Sequence, residues 1–333
     1  MENQADIQMQ LFKKIRDQLP GHVSLVEDIA ELLEISNDSA YRRIRGEKQL
    51  SLQEVKKLCQ HYRFSIDDLA GNSSIKTVTF RINMLDEENY SFLDWLRTLL
   101  SYMVTTNKAN QVEAIFILNE LNFFQIIQVP EVCAFKLFFW QKSNLDFANF
   151  KNISFSLELL DKEIYEISHE IIDQYVKIKT FELTTEECLN SYLKQILYYT
   201  EAGYFETRND ALIICEKLLE LVNHKQKQAE LGFKFPFGKH PVGEEGNFHL
   251  YHNDIILADN TVLIKAENEQ TSFITSNAIN IMQTHNKEFY QYNYGWGRNL
   301  MAKSVLISGT AEKERSRFFR KLKEQISSAA DRI

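Results

Sequence analysis

Apolar residues recur at helical spacing through the first 70 residues and predict a bundle of five short helices. The stripes of the first, second and fourth helices are Ile7, Leu11, Ile15 and Leu19; Val26, Ile29, Ala30 and Leu33; and Leu52, Val55, Leu58, Cys59 and Tyr62. Ser24 with Glu27, and Ser51 with Glu54, have capping-box spacing, in which each side chain binds the other residue's free amide. A short fifth helix is expected over residues 65–69, followed by a linker near Gly71.

The third helix has a polar first turn and an arginine-rich body. Ser36 is placed as its N-cap, and NDSAYRRIR follows over residues 37–45. This composition suits the major groove of DNA, where N-terminal side chains reach base edges and later arginines reach phosphates.

At this point residues 11–69 resemble the phage-repressor-like (Xre-type) helix-turn-helix family. The resemblance is carried by Ala30, Ile35-Ser36, Ala40-Tyr41-Arg42-Arg43-Ile44 with Gly46, and the following LSLQEVKKLCQHYRFSIDDL. Two positions depart from the family pattern. Glu34 replaces the usual glycine of the turn, so a non-glycine residue must take the left-handed conformation at a cost of roughly 1 kcal/mol. Arg43 occupies a position that is often apolar.

The resemblance implies a sequence-specific transcriptional regulator that binds double-stranded DNA as a homodimer. Its two recognition helices would lie about 34–36 Å apart on a pseudo-palindromic operator. The expected DNA contacts are Ser36 at the helix start, Asn37, Asp38, Ser39, Tyr41 and Arg42 at base edges, and Arg43, Arg45 and Lys48 at phosphates. The alternative is a protein-interaction adaptor whose helix-turn-helix bundle no longer binds DNA, and the two departures favour it.

The rest of the chain shows long helical patterns with a few strands. Helices are expected over residues 90–104, 156–179, 185–201, 207–231, 286–304 and 311–329, and over 122–141 as one helix or as two broken near Pro130. Strands are expected over residues 76–82 and, with a buried helix as the alternative, over 112–118. Residues 247–251 and 261–266 are predicted to pair as a hairpin, and 271–275 to form a third strand.

These elements predict a mainly α protein of three parts. Residues 1–72 form a five-helix lambda-repressor-like DNA-binding domain, and residues 76–231 form a mostly helical dimerisation or sensor region with a few strands. Residues 232–333 form a small α+β unit. The boundary is placed at residues 231–246, which hold four of the eleven glycines and two of the four prolines and are either a domain boundary or a long functional loop.

Charge and cysteine usage narrow the class of protein. The net charge is −8, but residues 11–63 contain ten Lys/Arg and eight Asp/Glu, so the remainder carries −10. An acidic body leaves a local basic cluster free to bind DNA.

The four cysteines form no CxxC pair and predict buried thiols in a cytoplasmic protein. No stretch is apolar enough for a membrane span, and none reads as a signal peptide.

Candidate chemistry is sparse, so we expect neither an enzyme nor a bound metal or cofactor. The nearest approach to a metal site is His240, His249 and His252 with Asp254 and Asp259, but His249 and His252 fall on opposite faces of a strand. An enzyme in the C-terminal part is therefore a distant third reading.

Two aromatic stretches remain open to interpretation. Phe123, Phe124, Phe135, Phe138, Phe139 and Trp140 either form core or a dimer interface, or line a pocket for a small-molecule or peptide effector. The two glycines of residues 290–297 interrupt a helical pattern, which indicates a hinge, a ligand contact or close packing. The last helix places Phe318, Phe319, Leu322 and Ile326 at core spacing.

Overall fold

The computed structural model of the protein describes residues 7–19, 23–62, 77–82, 91–254, 260–267, 269–276 and 280–333. The chain is mainly helical and divides into two compact units, residues 1–79 and 80–333. No helix among the described residues is both long and apolar enough to cross a lipid bilayer.

The first unit contains four described helices, α1 (Ile7–Gln18), α2 (Leu25–Leu33), α3 (Asn37–Ile44) and α4 (Leu52–Tyr62). Their shared core is Leu11, Phe12, Ile15, Ile29, Ala30, Leu33, Ala40 and Leu58. Phe12 and Ala40 were not in the predicted stripes, which are confirmed at the other six positions. The stripes are wrong at Ile7 and Leu52, which are 56% and 86% exposed. The predicted fifth helix and the linker near Gly71 lie outside the described residues.

The two predicted capping boxes have different outcomes. The Ser51 amide donates to Glu54 Oε2 at 2.8 Å and the Glu54 amide donates to Ser51 Oγ at 3.2 Å, so this box is confirmed. Ser24 is the N-cap of α2, but its side chain makes no capping hydrogen bond, and that box is wrong.

The second unit is built on one eight-stranded mixed sheet. Its strands are β1 (Arg81–Ile82), β2 (Val112–Ile117), β3 (Lys179–Thr184), β4 (Phe248–His252), β5 (Thr261–Ala266), β6 (Glu269–Ser276), β7 (Asn280–Thr284) and β8 (Val305–Leu306). The order across the sheet is β1-β7-β6-β5-β2-β3-β4-β8. Strands β2, β3 and β4 are parallel neighbours, and the other pairs are antiparallel.

Helices connect the parallel strands and cover the sheet. They are α5 (Phe92–Thr106), α6 (Phe123–Ile126), α7 (Pro130–Phe139), α8 (Lys162–Tyr175), α9 (Asn190–Glu201), α10 (Arg208–Leu231), α11 (Lys287–Ala302) and α12 (Glu312–Ala330). Helices α6 to α8 lead from β2 to β3, and α9 and α10 lead from β3 to β4. Pro130 starts α7, as its missing amide hydrogen favours, so the predicted 122–141 region is two helices.

Strand β2 is covered on both faces, which explains its unbroken apolar run. Ala114 and Phe116 belong to the core formed with α5 and α8. Ile115 and Ile117 pack with Tyr290 and Met301 of α11 on the opposite face. A strand buried on both sides shows no alternation, and the predicted strand is confirmed.

The structure corrects the expected organisation of the C-terminal two-thirds of the chain. The sheet draws strands from both sides of the expected boundary at residues 231 and 232, and both sides belong to one compact unit. Strands β4 and β5 do not form a hairpin, because β4 pairs with β3 and β8 while β5 pairs with β2 and β6. The helix expected over 156–179 is α8 alone, with β3 beginning at Lys179, and strands β3, β7 and β8 were not predicted.

A buried ionic cluster lies between β3 and the helices. Glu182 of β3 is fully buried and accepts hydrogen bonds from Lys225 of α10 and from the Asn122 amide at 2.9 Å. Lys234 is also buried, and its Nζ donates to Asn247 Oδ1 at 2.6 Å and stands 5.1 Å from the ring centre of Tyr175. Burial lowers the pKa of Lys234 to about 7, although Glu182 partly opposes the shift.

Lys234 should make stability depend on pH. The folded protein releases this proton near pH 7, whereas an unfolded chain holds it to about pH 10.4. Unfolding between these values takes up a proton, so the free energy of unfolding should rise with pH by up to about 1.4 kcal/mol per unit. We expect Lys234→Met to remove this component in urea titrations at pH 7, 8 and 9. The exposed Lys239→Met is the control, and parallel profiles for wild type and Lys234→Met would contradict the prediction.

The glycines of α11 have different surroundings and should respond differently to alanine. A Cβ on Gly295 would meet no atom within 4 Å, whereas one on Gly297 would lie 3.1 Å from Ile117 Cδ1. We expect Gly295→Ala to raise the free energy of unfolding by about 0.5–1 kcal/mol, because glycine weakens a helix. Gly297→Ala should be less stable than Gly295→Ala, since Ile117 must move. Equal stabilisation in denaturation curves would rule out close packing at Gly297.

Candidate nucleic-acid interface

The turn between α2 and α3 is fixed by backbone hydrogen bonds. Glu34 has φ 58° and ψ 44°, so the expected left-handed conformation is confirmed. The Ile35 amide donates to the Ala30 carbonyl at 3.0 Å, and the Glu34 amide donates to the Glu31 carbonyl at 3.2 Å. On the surface, Lys57 Nζ of α4 lies 3.2 Å from Glu34 Oε1. The direction in which α3 leaves the turn is therefore set locally.

Ser36 begins α3 as predicted. Its Oγ accepts a hydrogen bond from the Ser39 amide at 3.3 Å, and the two hydroxyls lie 3.1 Å apart. Such a cap satisfies one of the free amides of the first turn. Ser36 is exposed and Ser39 is half-buried, so both are occupied in starting the helix.

One face of α3 is exposed and consists of predicted contact residues, which are Asn37, Asp38, Tyr41, Arg42 and Arg45. At about 100° per residue, these five positions span an arc of about 140° on the helix and its first flanking residue. The remaining arc turns inward with Ala40 and Arg43, which are buried. The outward arc is thus continuous and polar.

Arg43 is buried within the first unit, and its predicted role as a phosphate contact is wrong. Its Nη2 lies 2.7 Å from Glu54 Oε1 of α4, and its Nη1 donates to the Ser39 carbonyl at 3.1 Å. Burial alone would raise the pKa of the Glu54 carboxyl, but hydrogen bonds from the Ser51 amide and from Arg43 lower it below its usual value. Arg43 therefore joins α3 to the start of α4.

Gln8 of α1 holds the segment that follows α3, a role that the sequence did not reveal. Its Nε2 donates to the carbonyls of Arg43 at 2.7 Å and Lys48 at 2.8 Å. Its Oε1 accepts from the Leu50 amide at 2.9 Å. These partners are 35 to 42 residues away in sequence, and Gln8 had no local signal except its place beside an apolar stripe.

The basic residues of the exposed face differ in their surroundings. Arg45 Nε lies 3.3 Å from Glu47 Oε1, and the Arg45 guanidinium stands 5.5 Å from the ring centre of Tyr41. Arg42 and Lys48 are exposed and form no ion pair within the part of the chain that the structure describes. Asp38 is the acid in the first turn of α3. The face can donate hydrogen bonds through Arg42, Arg45 and Lys48 and accept them through Asp38.

The predicted histidine group is not brought together. His249 stacks on Phe181 with ring centres 4.7 Å apart, while His252 lies on the opposite face of β4 beside Phe318. His240 is exposed, and Asp259 lies outside the described residues. Among the described residues, no three His, Cys, Asp or Glu side chains are grouped so that they could hold a metal ion.

The aromatic residues of the middle region divide between core and surface clefts. Phe135 is fully buried among Phe155, Tyr192 and Tyr199, and Phe124 stacks on Tyr175 with ring centres 4.4 Å apart. Phe138 and Phe139 are at the walls of two different clefts. The core interpretation is confirmed for Phe135, whereas Phe138 also borders a space that a ligand could fill.

Comparison of the chain with protein-family models, with curated proteins and with solved structures finds no match.

The position of Arg43 predicts a stability effect that Arg42 should not share. Arg43→Met leaves the Glu54 carboxylate without its cation. We therefore expect this variant to lower the free energy of unfolding by about 1–3 kcal/mol. Hydrogen exchange of the full chain should then speed up in peptides covering α3 and α4, whereas the exposed Arg42→Met should leave exchange unchanged. The contribution of Glu54 to the free energy of unfolding is fully present above about pH 4.3, the pKa of a Glu carboxyl in an unfolded chain. It disappears as the pH falls through the lowered pKa of Glu54 in the folded protein. Equal exchange in both variants would refute the structural role of Arg43.

Proposed function

We propose that the protein is a sequence-specific DNA-binding transcriptional regulator rather than an enzyme. The observation that supports this most is the exposed arc of α3, whose five polar or aromatic residues face outward while Ala40 and Arg43 fix the helix from within. Asn37, Asp38, Tyr41 and Arg42 read base edges, and Arg45 and Lys48 contact phosphates. Ser36 and Ser39 start the helix and present its N-terminus to the backbone of DNA.

The proposed regulator acts as a homodimer, with residues 80–333 serving dimerisation and effector sensing. One copy of α3 offers few base contacts, and two copies about 34–36 Å apart would read a pseudo-palindromic operator. The charge of the larger unit supports this arrangement, because residues 80–333 contain 27 Lys/Arg and 34 Asp/Glu, and this net charge of −7 is repelled by DNA. A cytoplasmic location follows from the proposal, and the four free cysteines suit a reducing compartment.

The second candidate is a protein-interaction adaptor whose helical bundle no longer binds DNA. Arg43 is withdrawn into the unit, and Arg45 is paired with Glu47. Both contacts reduce the positive charge that the face offers to phosphates. An adaptor of this kind would show no salt-dependent binding to DNA of any sequence, even at low ionic strength.

Selection of the full-length protein on random duplex DNA, at two salt concentrations, tests the proposal. We expect an enriched motif with two symmetric half-sites. Arg42→Ala should relax preference at one base position of each half-site, since a bidentate base contact contributes about 1–3 kcal/mol. Lys48→Ala should weaken binding to all sequences and reduce the salt slope by about one.

The matched control is Arg320→Ala, which removes one positive charge from an exposed site of α12 in the larger unit. It should change neither the motif nor the salt slope. Absence of any enriched sequence and of any salt dependence would replace the regulator with the adaptor. Equal effects of Arg320→Ala and Lys48→Ala would show that net charge, and not the α3 face, determines binding.

A further inference from the structure

A cleft of about 210 Å³ opens in the larger unit between α7, α8 and the segment that precedes α8. Most of its walls are apolar, and the side chains that shape it are Phe92, Ala134, Leu137, Phe138, Phe150 and Ile164. Ligand sites are commonly concave and apolar with a few polar groups. The cleft therefore has the character of a site for a small organic molecule.

The rim of the cleft exposes several large apolar side chains. Leu159, Leu160 and Tyr165 line it and are 45%, 39% and 37% exposed. Leu159 and Leu160 stand together in a segment with a short 3₁₀ helix (Leu157–Leu159) just before α8. Exposed apolar groups gathered around a concavity indicate a surface that is covered when a ligand binds.

The polar groups of the cleft favour a cationic ligand. Asp161 carries the one charge among the described lining residues, while Gln141 and Tyr165 are neutral. The Asp161 Oδ1 caps α8 by accepting from the amides of Glu163 at 2.8 Å and Ile164 at 3.3 Å. Among the described residues that line the cleft there is no lysine, arginine or histidine, so a carboxylate ligand would find no opposite charge there.

The cysteine of the cleft adds no charge either. Burial raises the pKa of the Cys133 thiol to about 12, so it is protonated at neutral pH. The carboxylate of Asp161 is therefore the group to which a ligand's charged end would bind, and a charge-assisted hydrogen bond is about twice as strong as a neutral one.

A second observation points to the same place. Helix α7 continues into a π-helical turn (Trp140–Asn144), and Gln141 of this turn lines the cleft. Such turns are rare and occur frequently at functional sites. The Gln141 carbonyl accepts from the Phe147 amide at 3.0 Å, so the turn also holds the start of the segment that leads to the rim.

We propose that this cleft binds a small primary amine with an apolar body. The ammonium group pairs with Asp161, and the body lies against Ala134, Leu137 and Phe138. An apolar cavity of about 150 Å³ holds a benzene molecule, so 210 Å³ accommodates one ring with a short chain. The assignment of this ligand as an effector rests on the proposed regulatory function, whereas the binding itself does not.

Calorimetric titration of the full-length protein with three matched probes tests the ligand class. The probes are 2-phenylethylamine, 2-phenylethanol and phenylacetate, which share a ring and differ in the charge of the polar end. We expect the amine to bind about two- to fivefold more tightly than the alcohol, because its partner Asp161 is exposed, and phenylacetate to bind most weakly. Equal affinities, tighter binding of phenylacetate, or no binding of the amine would overturn the proposal.

Two substitutions locate the binding site. Asp161→Asn removes the charge but preserves a good N-cap. Asp161 is exposed, and an exposed ion pair contributes little, so this variant should weaken the amine about two- to fivefold and leave the alcohol unchanged. The control is Asp173→Asn, an exposed acid of the same helix. Ala134→Phe should fill the cleft and abolish binding of both probes, with the exposed Ala302→Phe as its control. Unchanged amine affinity in Asp161→Asn would overturn the assignment, and this variant remains informative if Ala134→Phe fails to fold.

Repeating the DNA selection with and without 2-phenylethylamine separates the two proposals. A changed affinity for the enriched motif, lost in Asp161→Asn, supports an effector role. An unchanged affinity for the DNA motif overturns the effector role. Calorimetry then still tests whether the cleft binds the amine. If the protein binds no DNA, both the proposed regulatory function and the effector role are rejected. The amine site is tested separately, by calorimetry.

Discussion

The larger unit depends on one buried carboxylate. Glu182 lies on β3, the middle of the three parallel strands, and is fully excluded from solvent, so its charge requires partners inside the protein. Lys225 supplies the opposite charge from α10, and Asn122 supplies an amide from the loop after β2. These bonds fix both crossover connections against the same strand. An apolar residue at 182 would pack equally well against many surfaces, whereas a buried carboxylate accepts only an arrangement that brings these donors to it.

The same requirement extends from the sheet to the loop that follows α10. Lys234 lies in that loop and is buried beside Tyr175 and the Asn247 amide oxygen. Nearby, the Gln228 amide donates to the Phe235 carbonyl at 2.8 Å, and His224 contacts the same carbonyl at 3.0 Å. Residues 232–237 of the glycine- and proline-rich segment are thus tied into the unit, whereas residues 238–246 are mostly exposed. The segment resembles an inter-domain linker in composition, but its first part is packed within one unit.

Local signals in the sequence predicted local structure well. Ser36, Pro130, Thr207 and Asn286 each begin a helix where the sequence placed one, because capping depends on neighbours within one turn. No element was predicted over residues 180–184, where most of β3 lies, because Thr180 and Glu182 put polar residues on a buried face of the strand. The pairing of β4 with β3 rather than β5 depends on contacts between distant segments, which periodicity does not report.

In the candidate site, too, local signals were predicted and contacts between distant residues were not, as Arg43 shows. Residues 42, 43 and 45 are all arginine, and composition alone assigns all three to DNA. At about 100° per residue the three arginines span about 160° of the helix, and Arg43 lies about 100° beyond Arg42 at the edge of the outward arc. Only the orientation that buries Ala40 and brings Arg43 to Glu54 leaves Arg42 and Arg45 outward. A rotation of α3 by one residue would bury Arg42 and separate the Glu54 carboxylate from its cation. The burial of Arg43 against Glu54 therefore fixes the orientation of the exposed face, and the surface proposed to contact DNA depends on an arginine that does not reach it.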